Sequence, residues 1–262
     1  MLTLTGVLGD PVGHSRSPAM HNAAFAALGL EWRYVKLPVA ADVFAETVRA
    51  LPASGYRGAN VTIPHKEAAL ALADHVGDAA RAIGAANTLT FADGTVHADN
   101  TDAAGLLAAL PRTPEGMTTL VLGAGGAGRA AAWALREAGA EVSVWNRTPE
   151  RASALADELG VASVEAPVGA DLVVNATSVG LDPGDPIEEL PLAWIDPPQL
   201  AVELVYGDHE TPFAAWATAG GAEVVAGLEV LVRQGALSLE RWIGREPPLD
   251  VMRRAARASS RA

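Results

Sequence analysis

Cysteine is absent from the 262 residues, which excludes disulfides, thiolate metal sites and cysteine nucleophiles. Lysine is scarce, with Lys36 and Lys66 alone among 19 basic residues. Positive charge is outweighed as a whole, because 31 acidic residues leave a formal net charge of −12 at pH 7. That balance argues against a chain made to bind nucleic acid or an anionic membrane. Aromatic residues are only 5% of the chain, and no apolar run reaches the length of a membrane span. The six histidines, at 14, 21, 65, 75, 97 and 209, show no HExxH-like spacing, so no metal is expected. The run Met1-Leu2-Thr3-Leu4-Thr5 lacks the basic and apolar regions of a signal peptide. These absences lead to the expectation of a cytoplasmic globular protein with no nucleic-acid or membrane partner; a monomer or homodimer is expected, a choice that the sequence does not make. Half of the residues are hydrophobic and 19% charged, so the chain can bury cores, and its length suits two domains.

Short strand-like runs alternate with alanine-rich helical patterns up to about residue 102. Strands are expected over 4–8, 32–37 and 58–63, and helices over 17–28, 43–51 and 66–74. A hairpin pairs 87–91 with 95–98 around Asp93-Gly94. After a polar, proline-bearing break at 111–116, strands are expected at 119–122, 141–145, 171–175 and 200–204. Helices are expected between and after them at 129–138, 151–159 and 212–219. This is the rhythm of a parallel sheet with helices on both faces. A long helical pattern follows over 230–243, and the arginine-bearing tail 253–257 reads as the exposed face and frayed end of a last helix. Two α/β domains with a cleft between them are expected.

The run Gly123-Ala124-Gly125-Gly126-Ala127-Gly128 follows an apolar strand and opens a helix. Glycines let the backbone approach a pyrophosphate, whose charge the helix N-terminus favours. The next strand ends Trp145-Asn146-Arg147-Thr148, without the acid that would bind a ribose 2′-hydroxyl. Arg147 offers instead a planar set of donors for a 2′-phosphate. Thr148 is placed to cap the next helix, Pro149 to open it, and Arg151 to stand in its first turn. Arg151 opposes the helix dipole there, a conflict that a bound phosphate would remove. NADP is expected over NAD.

In the first half, Ser17 is a candidate cap before Pro18, with Gly29 ending the helix. Ser15 adds a second hydroxyl at the same helix end, so the pair reads either as a plain cap or as a seat for a small carboxylate. In Asn60-Val61-Thr62-Ile63-Pro64-His65-Lys66, Asn60 and Thr62 share one strand face, and Val61 and Ile63 the other. Lys66 stands where the next helix begins. An ammonium loses its proton when partly desolvated and a guanidinium does not, so a lysine kept here in an arginine-rich chain points to proton chemistry. Lys36, in an ordinary strand, keeps retention alone from standing as proof. Asn87-Thr88 and Asn100-Thr101-Asp102 add polar groups, and Asp102 has the further reading of a helix cap. His14, His21 and His65 read as loop or packing residues.

Taken together, these segments resemble the shikimate dehydrogenase family over nearly the whole chain. The resemblance rests on Gly9-Asp10-Pro11-Val12-Gly13-His14-Ser15-Arg16-Ser17-Pro18-Ala19-Met20-His21-Asn22, on the Asn60 to Lys66 run with Gly58-Ala59 before it, on Gly84-Ala85-Ala86-Asn87-Thr88 and on Asn100-Thr101-Asp102. It extends through the glycine turn, Asn146-Arg147-Thr148, Asn175-Ala176-Thr177-Ser178, Tyr206 ahead of Thr211-Pro212-Phe213, and the run from Gly227 to Gln234. The fold it implies is α/β, an N-terminal α/β substrate domain plus a Rossmann-like NADP-binding domain. The first would take residues 1–102 with carboxyl-terminal helices of about 233–262, and the second 103–232.

The activity it implies is reversible NADPH-dependent reduction of 3-dehydroshikimate to shikimate, a step of aromatic amino acid biosynthesis. By carry-over, Lys66 and Asp102 form the catalytic pair, and Ser15 and Ser17 hold the substrate carboxylate. Asn60, Thr62, Asn87, Asp102 and Gln234 bind ring hydroxyls, with Tyr206 beside them, while Thr177 and Gly227 fall on the cofactor side. Glu203 stands where the family often has Asp, and Glu229 where it often has a small residue. The alternatives are a quinate/shikimate dehydrogenase paralogue tolerant of NAD, a non-catalytic NADP-binding sensor, and a two-domain dehydrogenase acting on another small acid.

Overall fold

The computed structural model describes residues 2–259. Met1 and the last three residues, to which the expected domain ranges extend, lie outside the described residues. The chain begins with β1 (Thr3–Gly9), α1 (Ser17–Ala27), β2 (Trp32–Pro38), α2 (Phe44–Ala50), β3 (Tyr56–Val61) and α3 (Lys66–Leu72). It continues with β4 (His75–Val76), α4 (Asp78–Ile83), β5 (Thr88–Ala92), β6 (Thr95–Asp99) and α5 (Asp102–Ala109). Next come β7 (Thr118–Leu122), α6 (Gly126–Glu137), β8 (Glu141–Trp145), α7 (Pro149–Leu159), β9 (Ala162–Ser163) and β10 (Leu172–Asn175). The chain ends in β11 (Leu200–Glu203), α8 (Pro212–Ala219), β12 (Glu223–Val225), α9 (Gly227–Ile243) and α10 (Leu249–Ala258). Two compact units result, one up to Gly105 and again from Leu231 onward, the other from Leu106 to Val230. The chain passes from one to the other inside α5 and returns inside α9. No helix of the described residues is long and apolar enough to cross a membrane.

The first unit holds a mixed six-stranded sheet in the order β2-β1-β3-β5-β6-β4. β1 runs parallel to β2 and β3, while β5 is antiparallel to both β3 and β6. The strand expected over 58–63 stops at Val61, because the chain turns at Thr62, whose carbonyl accepts from the His65 N–H at 2.9 Å. Ile63 is therefore 55% exposed and does not share a strand face with buried Val61. Gly58 is needed for packing: a Cβ there would lie 2.2 Å from the Trp242 indole nitrogen, which donates to the Leu89 carbonyl at 3.0 Å.

The second unit holds an all-parallel sheet in the order β12-β11-β10-β7-β8-β9. Its strand order reverses between β7 and β10, the arrangement of a doubly wound dinucleotide-binding fold. β10 and β11 are buried throughout, as strands covered on both faces must be. Successive residues point to opposite cores, Val121, Val174 and Val202 to one and Leu120, Leu122, Val173 and Ala201 to the other. Each of the larger side chains contributes roughly 1.5–3 kcal/mol by leaving water.

Several local expectations need correction. Ser17 lies inside α1 and does not cap it: Arg16 is the N-cap, without a side-chain cap bond, and the Ser15 hydroxyl oxygen accepts from the Ser17 N–H at 3.3 Å. Asp102 does not cap α5 either. The Asn100 carboxamide oxygen takes that place, accepting from the N–H groups of Asp102 and Ala103 at 3.0 and 3.3 Å. Thr148 is the N-cap residue of α7 but makes no side-chain cap bond. α6 starts at Gly126 rather than 129 and α9 at Gly227 rather than 230, so both helices run into glycines that propensity disfavours. The elements β4, α4, β9 and β12 have two to six residues each, too short to show a period in the sequence.

Candidate active site

Lys66 and Asp102 each open a helix, α3 and α5, that follows directly on the sheet of the first unit. The Lys66 Nζ donates to Asp102 Oδ2 at 2.6 Å, with side chains 13% and 21% exposed. Asp102 at a helix start is favoured by the dipole and Lys66 is not, so their pairing offsets the unfavourable placement of the lysine. The second Asp102 oxygen, Oδ1, accepts from the Asn87 Nδ2 at 2.8 Å. Both carboxylate oxygens are thus oriented, one by a cation and one by an amide.

Asn87 is the hub of the surrounding network. Its Nδ2 also donates to Thr101 Oγ1 at 3.0 Å and Gln234 Oε1 at 3.1 Å, and its Oδ1 accepts from the Thr101 N–H at 2.7 Å. Asn60 is engaged at both ends: Oδ1 accepts from the Tyr34 hydroxyl at 2.9 Å, and Nδ2 donates to the Asn87 carbonyl at 3.1 Å. Gln234 is fixed as well, its Nε2 donating to the Leu231 carbonyl at 2.9 Å. Thr62 is half-buried just past the end of the same strand, and Ser15 and Ser17 are buried at the start of α1.

Ser238 is not among the residues expected from the sequence. Wholly buried, it contacts Asn60 Nδ2 at 2.8 Å, Thr88 Oγ1 at 2.8 Å and Thr101 Oγ1 at 3.0 Å. A signal for it exists, since Gln234, Ser238 and Trp242 recur every four residues on α9 and so share one face. All three make hydrogen bonds to the sheet residues or to the loops that leave them.

In the second unit the glycine turn lies between β7 and α6. Gly123 has φ +107°, and a Cβ there would fall 2.9 Å from the Ala176 carbonyl oxygen. A Cβ on Gly128 would lie 1.9 Å from the Gly123 carbonyl oxygen, whereas Gly125 faces open space. The N-cap of α6 is Gly125, which has no side chain to cap the helix, and a helix start of this kind suits an anion. Asn146 fastens this turn, accepting from the Ala124 N–H at 3.1 Å and donating to the Thr148 carbonyl at 3.0 Å.

Arg147, Thr148 and Arg151 are all exposed beside it. The strand that leads into Arg147 ends without an acid, yet the fold brings one: Glu189 Oε2 lies 2.7 Å from its Nη1. A glycine turn with open space at Gly125, a helix start and two arginines fit a dinucleotide carrying a 2′-phosphate. Thr177 bonds inward, its hydroxyl and N–H donating to Asn175 Oδ1 at 2.7 and 3.1 Å. Gly227 is pressed against the loop after β11, where a Cβ would lie 2.5 Å from the Val205 carbonyl oxygen. Tyr206, half-buried, belongs to this second unit and not to the unit that carries the other candidate substrate residues.

Comparisons with known proteins show the family. The shikimate dehydrogenase substrate binding domain matches residues 7–89, the shikimate / quinate 5-dehydrogenase domain 109–177, and the shikimate 5'-dehydrogenase C-terminal domain 227–257. The shikimate dehydrogenase (NADP(+)) of Paracoccus denitrificans is 47% identical over 94% of this chain and 93% of its own length. That of Methanothermobacter thermautotrophicus is 43% identical over 95% and 94%. The crystal structure of shikimate 5-dehydrogenase from Thermus thermophilus, in complex with NADP(H) and shikimate, superposes with a TM-score of 0.89 at 45% identity, covering 98% of this chain and 99% of that one. The chain belongs to the shikimate dehydrogenase family.

Proposed function

We propose that this protein catalyses the reversible, NADPH-dependent reduction of 3-dehydroshikimate to shikimate, the first unit holding the substrate and the second the cofactor. The observation that carries this reading is the 2.6 Å contact of Lys66 with Asp102, partly open to solvent and bordered by amides and hydroxyls. The Ser15 and Ser17 hydroxyls at the start of α1 seat the substrate carboxylate. Asn60, Asn87, Asp102 and Gln234, on side chains that their own hydrogen bonds already orient, take the ring hydroxyls together with Thr62.

When bound, NADPH supplies a hydride to the ring carbonyl carbon. Lys66 gives a proton to the oxygen that gains charge there, and takes one back in the reverse direction. Asp102 receives the Lys66 hydrogen bond on one oxygen while Asn87 holds the other, so the ammonium is aimed before substrate arrives. In the second unit the glycine turn from Gly123 to Gly128 carries the pyrophosphate, and Asn146, Arg147, Thr148 and Arg151 surround the 2′-phosphate. Thr177 and Gly227 shape the strand-end turns on the nicotinamide side. This reading takes the cytoplasm as the place of work and a monomer or homodimer as the working form.

The direct test offers shikimate with NADP and with NAD in parallel and follows the absorbance of the reduced nicotinamide. Turnover with a strong preference for NADP is expected. No turnover with shikimate, or a preference for NAD, would overturn the assignment.

A further inference from the structure

Glu203, the last residue of β11, is 3% exposed and has no part in the chemistry above. The hydrogen bonds that reach its carboxylate come from neutral donors. Oε1 accepts from the Asn175 Nδ2 at 3.0 Å and the Val205 N–H at 2.8 Å, and Oε2 from the same Nδ2 at 3.1 Å and the Thr211 hydroxyl at 2.5 Å. These donors stand at the end of β10, in the loop after β11 and at the N-cap of α8. One carboxylate thus ties together the end of β10, the loop after β11 and the start of α8.

The network continues in both directions. Asn175 uses its other end to hold Thr177, and the neighbouring Ala176 carbonyl is what a Cβ on Gly123 would strike. Gly227, after β12, is packed against the carbonyls of Glu203, Leu204 and Val205. In a doubly wound sheet each half takes one mononucleotide at the carboxyl ends of its strands. Arg147 marks the half of β7 to β9 as the one for the adenosine phosphate, which leaves the ends of β10, β11 and β12 to the nicotinamide.

We propose that Glu203 is the positioning residue of the nicotinamide half of the cofactor site: its carboxylate sets the relative places of the turns after β10 and β11 and of the start of α8. The assignment rests on the reading of the second unit as the cofactor unit. An apolar residue of similar size would leave the Asn175 amide, the Val205 N–H and the Thr211 hydroxyl buried without an acceptor, and the turns would shift to satisfy them. A glutamine keeps one acceptor and the shape.

The experiment measures binding of NADPH by its fluorescence and of 2′,5′-ADP, which has no nicotinamide half, by calorimetry, with circular dichroism to confirm folding. For Glu203→Ala the Kd of NADPH is expected to rise about 10-fold or more, while that of 2′,5′-ADP stays within about twofold. Glu203→Gln is expected to restore NADPH binding to within about threefold of the unmodified protein. A folded Glu203→Ala protein that binds NADPH normally, or weakens both compounds alike, overturns the assignment. Should that variant not fold, Thr211→Val decides: a rise of about threefold for NADPH alone supports it, and no change or an equal change overturns it. If the unmodified protein binds neither compound, the cofactor reading itself falls and takes this assignment with it.

Discussion

In the first unit the candidate site is made of side chains, and in the second its centre is a backbone turn. Lys66, Asp102, Asn87, Gln234 and Ser238 meet from α3, α5, α9 and the ends of β-strands, and each contributes a specific atom to a shared network. The turn from Gly123 to Gly128 contributes N–H groups and the absence of Cβ atoms instead. A site of the first kind fails when a side chain is removed, and one of the second kind when a side chain is added. Each unit also buries an ionisable group, and the two are of opposite type. His21 has neither ring nitrogen hydrogen-bonded and stacks on Tyr34 with ring centroids 4.3 Å apart, and burial pushes its pKa down to about 3. Burial pushes the Glu203 carboxyl up to about 7, against the hydrogen bonds from Thr211, Val205 and Asn175 that favour its charge.

The largest effect should come from the side-chain site. Lys66→Ala is expected to lower kcat by about 10²–10⁴-fold, the worth of one positioned proton donor, with the KM for shikimate little changed. Steady-state kinetics check it, and a near-normal kcat would remove Lys66 from the chemistry. Lys66→Arg, which keeps the charge on a guanidinium that does not give up its proton, should be as inactive.

The buried groups give pH dependences of opposite sign. The unfolded chain protonates His21 below its ordinary 6.5 while the native state does not until about 3. Stability is therefore lost as pH falls through that window, by about 3 kcal/mol at pH 4. Urea unfolding at pH 7 and pH 4 should show His21→Phe losing less than the unmodified protein by that amount. Equal losses would mean that His21 finds a partner on protonation.

For Glu203 the native state holds its proton more tightly than the ordinary 4.5, so stability is full below 4.5 and declines as pH rises to about 7. The decline is about 2–3 kcal/mol. Glu203→Gln should flatten melting temperature against pH between 5 and 8; an unchanged slope would place the titration elsewhere.

The smallest effect belongs to the exposed arginine beside the backbone site. Arg147→Gln is expected to raise the KM for NADP by about 10-fold, one lost charge-assisted contact, and to leave the KM for NAD nearly unchanged. Equal changes for both would show that Arg147 does not read the 2′-phosphate.

Much of the fold and of the site is legible in the amino-acid sequence. The glycine turn reads directly because strand, turn and helix are contiguous, and the pairing of Lys66 with Asp102 follows from the family resemblance. Asn100 as the cap of α5 escapes such a reading because Asp102, two residues later, is an equally good cap by type, and only the backbone geometry decides between them. Glu189 beside Arg147 escapes it because the contact spans a long loop whose course no local pattern fixes.

The sequence by itself determined the alternation of strands and helices, the parallel character of the second sheet and the glycine turn, because these follow from local periodicity and from where glycine and proline allow the chain to bend. Tertiary structure alone decided that Ser238 and Tyr34 support Asn60, and that Glu203 gathers Asn175, Val205 and Thr211. The physical reason is that a buried polar group must find a partner wherever the fold supplies one, and that partner need not be near it in the chain.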